Sequence, residues 1–324
     1  MAFRFVMIGS GQLVETWAER IAQAVPQVET VVCPDREEAL RALPGARAAY
    51  GKLDPELLGA ADALEWLACP AAGPTPDFYF DELVRSPVQV TNMRGIYNDH
   101  ISAHIMAFVL AFSRDMQRYL PAQFAGKWAK GEGFGDYGRT VYLPEAVPLV
   151  IGVGGIGAET ARHCAHFGMR VVGIDPRVAE PPEGVAELYG PDALDEHIGR
   201  ADFVIMTAPQ TPSTEGLVGA PLLGRMKDSA YFINIGRGTN VRLADLDRAL
   251  RDGQIAGAAL DVFEEEPLPA EHPLWSAPNF LMTPHVAAFG PYLEERRLNL
   301  LIENCRRLDA GEELVNVVDK ENWF

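Results

Sequence analysis

The chain has 324 residues, of which 28 are Lys or Arg and 45 Asp or Glu, giving a formal net charge of −17, and 48% are hydrophobic. That length suits two domains of ordinary size, each with a core of its own. The acidic excess argues against nucleic acid or an anionic membrane surface as the main partner, but a local arginine can still hold an anionic small molecule.

Cys33, Cys69, Cys164 and Cys305 form no C-x-x-C pair and lie in apolar contexts, so buried thiols are expected rather than disulfides. The start, MAFRFVMIGSG, lacks the pattern of a signal peptide, and no apolar run reaches the roughly 18 residues of a membrane span. A cytoplasmic location is the expectation.

The first hundred residues alternate short strands and helices. Apolar runs at Phe3–Ile8, Val28–Val32, Ala46–Tyr50, Leu64–Ala68 and Val88–Thr91 read as strands, and Glu15–Ala24 and Arg36–Ala42 as helices. This order predicts a parallel sheet with crossover helices. Gly9 and Gly11 follow the first strand, but Val14 occupies the third glycine position and no acid closes a following strand, so they read as an ordinary turn. From about Asp99 to Arg118 the apolar content predicts one long, largely buried helix, and Gly131, Gly133, Gly135 and Gly138 then mark a loop.

The segment LVIGVGGIGAETARHCAHFGMRVVGIDPR, residues 149–177, is the most specific signal. A strand over Leu149–Gly152 runs into Gly152-x-Gly154-x-x-Gly157, then a helix, then a strand from Met169 to Ile174 that ends at Asp175. Gly152 permits the tight turn, Gly154 lets backbone approach a pyrophosphate and Gly157 lets helix and strand pack closely. A helix starting near Gly155 aims N–H groups and its positive end at the phosphates, and Asp175 suits the adenosine ribose hydroxyls. Arg177 can stack on adenine or accept a 2′-phosphate. Asp175 would repel that phosphate, so NAD is expected over NADP.

Further strands are expected at Phe203–Met206, Tyr231–Ile235, Ala256–Leu260 and Phe280–Met282, making a second parallel sheet of six or seven strands. The stretch Pro291–Leu308 reads as helix and EELVNVV after it as short and extended, while the proline-rich patches at 180–182 and 267–273 read as surface loops. The fold class is therefore α/β, with two Rossmann-like, doubly wound parallel-sheet domains and a cleft between them. Residues 1–98 with 291–324 form a discontinuous, flavodoxin-like substrate domain, and 99–290 the dinucleotide domain.

Three side chains leave the carboxyl ends of strands in the second domain, the edge where an open α/β sheet binds ligands: Arg237 in FINIGRGTNV, Glu266 in AALDVFEEEPLP and His285 in FLMTPHVAAFG. An arginine can grip a 2-oxo acid by its carboxylate, and a histidine can exchange a proton with the neighbouring oxygen as hydride moves. A carboxylate beside a histidine favours its charged form. The bland alternatives are a structural histidine, a loop-capping arginine and a solvated EEE run. His100 with His104, and His163 with His166, have spacings open to metal, but no further ligand is in view and packing is the better reading; no metal is expected. Trp275 reads as a packing anchor.

These motifs together resemble the D-isomer-specific 2-hydroxyacid dehydrogenases, with a glyoxylate/hydroxypyruvate reductase character, over residues from about 45 to 318. The residues that carry the resemblance are the three glycines with FGMRVVGIDPR, TAPQTPST, NIGRGTNV, ALDVFEEEPLP and TPHVAA. It implies Arg237 as substrate clamp, Glu266 as partner of the histidine and His285 as acid–base group. Cofactor contacts are implied at Gly155, Ile156, Asp175, Thr207, Ile235, Gly236, Arg237, Asp261 and His285. The loop CPAAGPTPD implies substrate-binding backbone N–H groups at Ala72 and Gly73, and the family implies a homodimer through the cofactor domain and the long helix. GRTVYLPEAVPL lacks the family's leucine-x-glycine-lysine lead-in, and Ser102-Ala103-His104 lacks the glutamate that many relatives carry before the histidine.

Two alternatives lie within the family. Formate dehydrogenase pairs its histidine with glutamine, which Glu266 argues against. Long phosphoglycerate dehydrogenases carry regulatory extensions, which a chain ending at Phe324 is expected to lack. A corepressor-like protein that senses nicotinamide nucleotides is the alternative from another class.

Overall fold

The computed structural model describes residues 2–74, 76–130, 138–177 and 179–321. The glycines expected to mark a loop at 131, 133 and 135 lie outside them. The chain divides into two compact units, residues 1–96 with 291–324 and residues 97–290.

The first unit carries β1 (Phe3–Ile8), α1 (Gln12–Ala24), β2 (Val28–Cys33), α2 (Arg36–Ala42), β3 (Ala48–Tyr50), α3 (Pro55–Ala60), β4 (Trp66–Ala68), α4 (Asp81–Arg85) and β5 (Gln89–Thr91). All five strands are parallel, in the order β2-β1-β3-β4-β5. β3 and β4 are wholly buried, as befits a parallel sheet covered on both faces. Local chemistry sets the helix starts: Asp35 and Asp54 each accept the backbone N–H three residues on, and Pro55 occupies the first turn of α3. The loop after β4 is tied down from β5's far end, where Met93 N donates to Ala71 O and Asn92 Nδ2 to Ala72 O.

The second unit opens with α5 (Asn98–Ser113) and α6 (Met116–Phe124). Sequence patterning predicts one continuous helix here, and the structure corrects it. Asp115 sits at φ 57, in the left-handed region that breaks a helix, and its buried carboxylate accepts from Gln117 Nε2. Asp tolerates that conformation better than the apolar residues around it. There follow β6 (Pro148–Ile151), α7 (Gly155–His166), β7 (Val171–Ile174), β8 (Val185–Tyr189), α8 (Leu194–His197), β9 (Phe203–Met206), α9 (Ala220–Leu223), β10 (Tyr231–Asn234), α10 (Leu243–Arg251), β11 (Gly257–Leu260) and β12 (Phe280–Met282).

These seven strands form one parallel sheet in the order β12-β11-β10-β9-β6-β7-β8. The strand order reverses beside β6, so the loops following β6 and β9 flank the switch point where such sheets take ligands. Both faces are covered. Leu149, Ile151, Val204 and Met206 pack into one core, while their neighbours Val150, Phe203 and Ile205 pack into another. α5 lies on the second face, where Phe112 stacks on Tyr231. α11 (Leu293–Ala310) belongs with the first unit, and β5 gains one antiparallel bridge, Thr91 to Val317, from the tail. All four cysteines are free and buried, and among the described residues no helix is long and apolar enough to cross a membrane.

Candidate active site

The β6–α7 turn is built on close backbone approach. Gly152 has φ 92, and a Cβ there would lie 2.7 Å from the Ala208 backbone. A Cβ on Gly157 would lie 2.0 Å from Gly152 O, so only glycine lets α7 start directly over the strand end. Gly154 caps the helix, and a Cβ there would meet nothing, so its backbone faces open space. The N–H groups of Gly155 and Ile156 open α7 and have no acceptor within the helix. The cradle therefore fits a dinucleotide pyrophosphate. Thr207, after β9, donates to Ile151 O and Gly152 O and braces the turn from the neighbouring strand.

Asp175 ends β7 as expected, but its carboxylate is buried and faces backbone: Oδ2 accepts Val153 N and Oδ1 accepts Arg177 N, each at 2.8 Å. It holds the glycine turn to the next strand end. Arg177 is exposed.

Arg237, Glu266 and His285 all belong to the second unit. Arg237 follows β10 in a turn locked by Asn234, whose Oδ1 accepts Gly236 N and whose Nδ2 donates to Arg237 O. The guanidinium donates to Gly236 O at 2.6 Å. Burial lowers the Arg237 pKa, and the negative charge of Glu266 acts the other way. Ile235 is buried, like Asn234.

Glu266 lies in the loop after β11. Its Oε1 accepts Phe263 N at 2.9 Å, and its Oε2 meets His285 Nδ1 at 2.6 Å. Of the three consecutive glutamates only Glu266 reaches the histidine; Glu264 accepts Leu243 N. His285 stands in left-handed backbone, φ 55, with its N–H bonded to Asp261 O at 2.9 Å and its side chain 53% exposed. A carboxylate only accepts, so Nδ1 carries a proton and Nε2 is the nitrogen presented for exchange.

Asp261, where the resemblance implies a cofactor contact, also has a structural task. Its side chain is buried and accepts Val286 N and Thr283 Oγ1 on Oδ1 and Ala287 N on Oδ2. It binds the loop that carries His285. Ala72 and Gly73 lie in the first unit, in the loop after β4. Trp275 is 54% exposed and donates to Pro269 O, so the anchor of its turn is the buried Leu274 instead. Asn234 is a residue the sequence reading missed. The only available signal was a polar residue closing an apolar strand run, which also describes an ordinary strand end. Among the described residues no three His, Cys, Asp or Glu side chains gather as metal ligands.

Comparison with known proteins follows the same lines. The family model described as D-isomer specific 2-hydroxyacid dehydrogenase, NAD binding domain, matches residues 106–287. A glyoxylate/hydroxypyruvate reductase A of Yersinia enterocolitica is 34% identical over 216 residues, which is 67% of this chain and 66% of the relative. A glyoxylate reductase of Korarchaeum cryptofilum is 32% identical over 279 residues, 83% of this chain and 80% of the relative. Among solved structures, a D-isomer specific 2-hydroxyacid dehydrogenase from Xanthobacter autotrophicus Py2, in complex with NADPH and MES, has a TM-score of 0.86 at 28% identity, covering 100% of both chains.

Proposed function

Because the chain belongs to the D-isomer-specific 2-hydroxyacid dehydrogenase family, we propose that it interconverts a small 2-oxo acid, of the glyoxylate or hydroxypyruvate kind, and the corresponding D-2-hydroxy acid. The observation that carries this reading is the bond between His285 Nδ1 and Glu266 Oε2, beside Arg237 and on the same sheet as the glycine cradle.

A bound nicotinamide cofactor supplies or takes the hydride. Gly152, Gly154 and Gly157 shape its cradle, and Gly155, Ile156, Thr207, Ile235 and Gly236 line it. Asp175 places a negative charge at the end of β7, which supports NAD over NADP, with exposed Arg177 as the counter-argument. Arg237 clamps the substrate carboxylate with paired donors. His285 gives a proton from Nε2 to the carbonyl oxygen in reduction and takes one in oxidation. Glu266 keeps Nδ1 protonated and the ring oriented, and is itself held by Phe263 N. The same reading makes the protein a cytoplasmic homodimer, with exposed Phe124 and Trp128 in the second unit as apolar surface for a second copy.

The test is a panel of glyoxylate, hydroxypyruvate, pyruvate and longer 2-oxo acids with NADH and with NADPH, followed by loss of reduced-cofactor absorbance. Turnover of the short acids, faster with NADH, is the expected result. Binding of NADH without turnover of any member overturns the enzymatic reading. Preference for NADPH overturns only the assignment to Asp175.

A further inference from the structure

The catalytic reading makes no use of His104. It lies in the middle of α5, with its ring edge-on to Phe108 and a side chain only 21% exposed. Its Nε2 lies 2.9 Å from Thr283 Oγ1, two residues before His285. Thr283 Oγ1 donates to Asp261 Oδ1 at 2.6 Å.

Proton bookkeeping fixes the direction of this chain. The carboxylate of Asp261 can only accept, so the single hydroxyl proton of Thr283 points at it. The hydroxyl therefore meets His104 as an acceptor, and His104 must carry its proton on Nε2. Burial lowers the pKa of His104 and keeps the ring neutral, with one N–H to give. Beyond Thr283, Asp261 collects Val286 N and Ala287 N, and its own carbonyl takes His285 N. The left-handed backbone at His285, a conformation an L residue adopts at a cost, is thus pinned on both sides by one aspartate.

We propose that His104 is a positioning residue for the acid–base group: donation from its Nε2–H to Thr283 Oγ1 orients the hydroxyl on Asp261 and so holds the 283–287 loop in the form that presents His285. The proposal rests on the catalytic role given to His285. The geometry requires a donor at this one atom, and a glutamine side chain can supply it in nearly the same place, whereas asparagine is too short.

The experiment compares His104→Gln, His104→Asn, His104→Leu, Thr283→Val and the double variant His104→Leu/Thr283→Val in the full chain. Two quantities are read: hydrogen exchange at the Val286 and Ala287 amides without substrate or cofactor, and kcat against the KM for NADH. His104→Leu and His104→Asn should speed exchange at those amides at least about fivefold, while amides of β6 and β7 stay unchanged. Both should lower kcat roughly tenfold with the NADH KM within about twofold, since a misplaced acid–base group affects the chemical step. His104→Gln should return both quantities to within about twofold of the parent, and the double variant should be no worse than Thr283→Val alone.

Unchanged exchange in His104→Asn, failure of His104→Gln to rescue, or additive losses in the double variant would each overturn the proposal. If His104→Leu does not fold, the Gln and Asn pair decides the matter alone. Exchange is read without turnover, so a parent that reduces no 2-oxo acid refutes the proposed function separately and leaves the exchange result for the loop standing.

Discussion

Glu266→Gln preserves the size of the side chain and removes one acceptor. Two donors depend on that carboxylate, Phe263 N–H on one oxygen at 2.9 Å and His285 Nδ1–H on the other at 2.6 Å. A carboxamide offers one oxygen and one NH2. If the oxygen serves Phe263, the NH2 faces Nδ1, which must shed its proton and accept. The ring proton then sits on Nε2, and the atom meant to take a proton from a hydroxy acid is already occupied. If the oxygen serves His285 instead, two donors collide at Phe263. Either way a charge-assisted hydrogen bond of about 1.5–3 kcal/mol is lost from the arrangement that moves the proton. At about 1.36 kcal/mol per tenfold in rate, kcat should fall roughly 10- to 150-fold. Oxidation of the hydroxy acid should suffer more than reduction, because it needs Nε2 empty. The two side chains are 53% and 35% exposed, so in the unliganded protein water screens the pair, which contributes no more than about 1 kcal/mol to folding; the larger figure applies to the reacting complex, where bound ligands exclude that water, and the melting temperature should hardly move. Steady-state kinetics in both directions with a thermal melt is the assay. A kcat within twofold of the parent in a well-folded variant would refute the role given to Glu266.

Three further outcomes are expected. Arg237→Lys should raise the KM for the 2-oxo acid at least about tenfold, since an ammonium cannot make the paired contact of a guanidinium; an unchanged KM would remove Arg237 from the clamp. Gly157→Ala places a Cβ 2.0 Å from Gly152 O, a clash with backbone that should cost about 1–3 kcal/mol or more and weaken NADH binding in a fluorescence titration, whereas parent-like affinity would contradict the described turn. Glu159, on α7, is held down from 4.5 to about 2, first by its bond from Arg162 and then by His163. Its contribution is complete above pH 4.5 and is lost as pH falls toward 2, so the stability gap between parent and Glu159→Gln, at most about 1 kcal/mol at this partly exposed site, should close over that window. A gap that stays constant down the acid limb would speak against the ion pair.

Much of the fold was legible because buried parallel strands read as continuous apolar runs. β1, β9 and β12 fall where the runs at Phe3–Ile8, Phe203–Met206 and Phe280–Met282 place them. β8 escaped notice because it is an edge strand whose residues after Val185 are exposed or only partly buried, so VAELY has no apolar run to find. The break between α5 and α6 escaped because apolar periodicity continues through it, and one aspartate in left-handed backbone decides it. At the site, residue types at strand ends pointed to Arg237, Glu266 and His285, since the chemistry of a clamp and an acid–base pair narrows the choice. Sequence could not tell which carboxylates face ligand and which face backbone. That depends on how many N–H groups a turn leaves without acceptors, which is a property of the turn in three dimensions.

Asp261 makes the distinction testable. The family resemblance implies a cofactor contact at Asp261; the structure adds that it accepts Val286 N, Ala287 N and Thr283 Oγ1 and ties its own N–H to Asn234 O, beside the turn that carries Arg237. One buried aspartate thus joins the loops of the clamp and the acid–base group. In Asp261→Asn one of the two amide donors must face an NH2, whichever way the carboxamide turns. A buried donor left without an acceptor costs about 1–3 kcal/mol, and for a unit of this size each kcal/mol lowers the melting temperature by about 2–4 °C. A residue that touched only the cofactor would weaken NADH binding and leave the unliganded protein's melting temperature alone. Asp261→Asn should therefore melt several degrees lower without any cofactor present, and an unliganded melt equal to the parent's would refute the structural role given to Asp261.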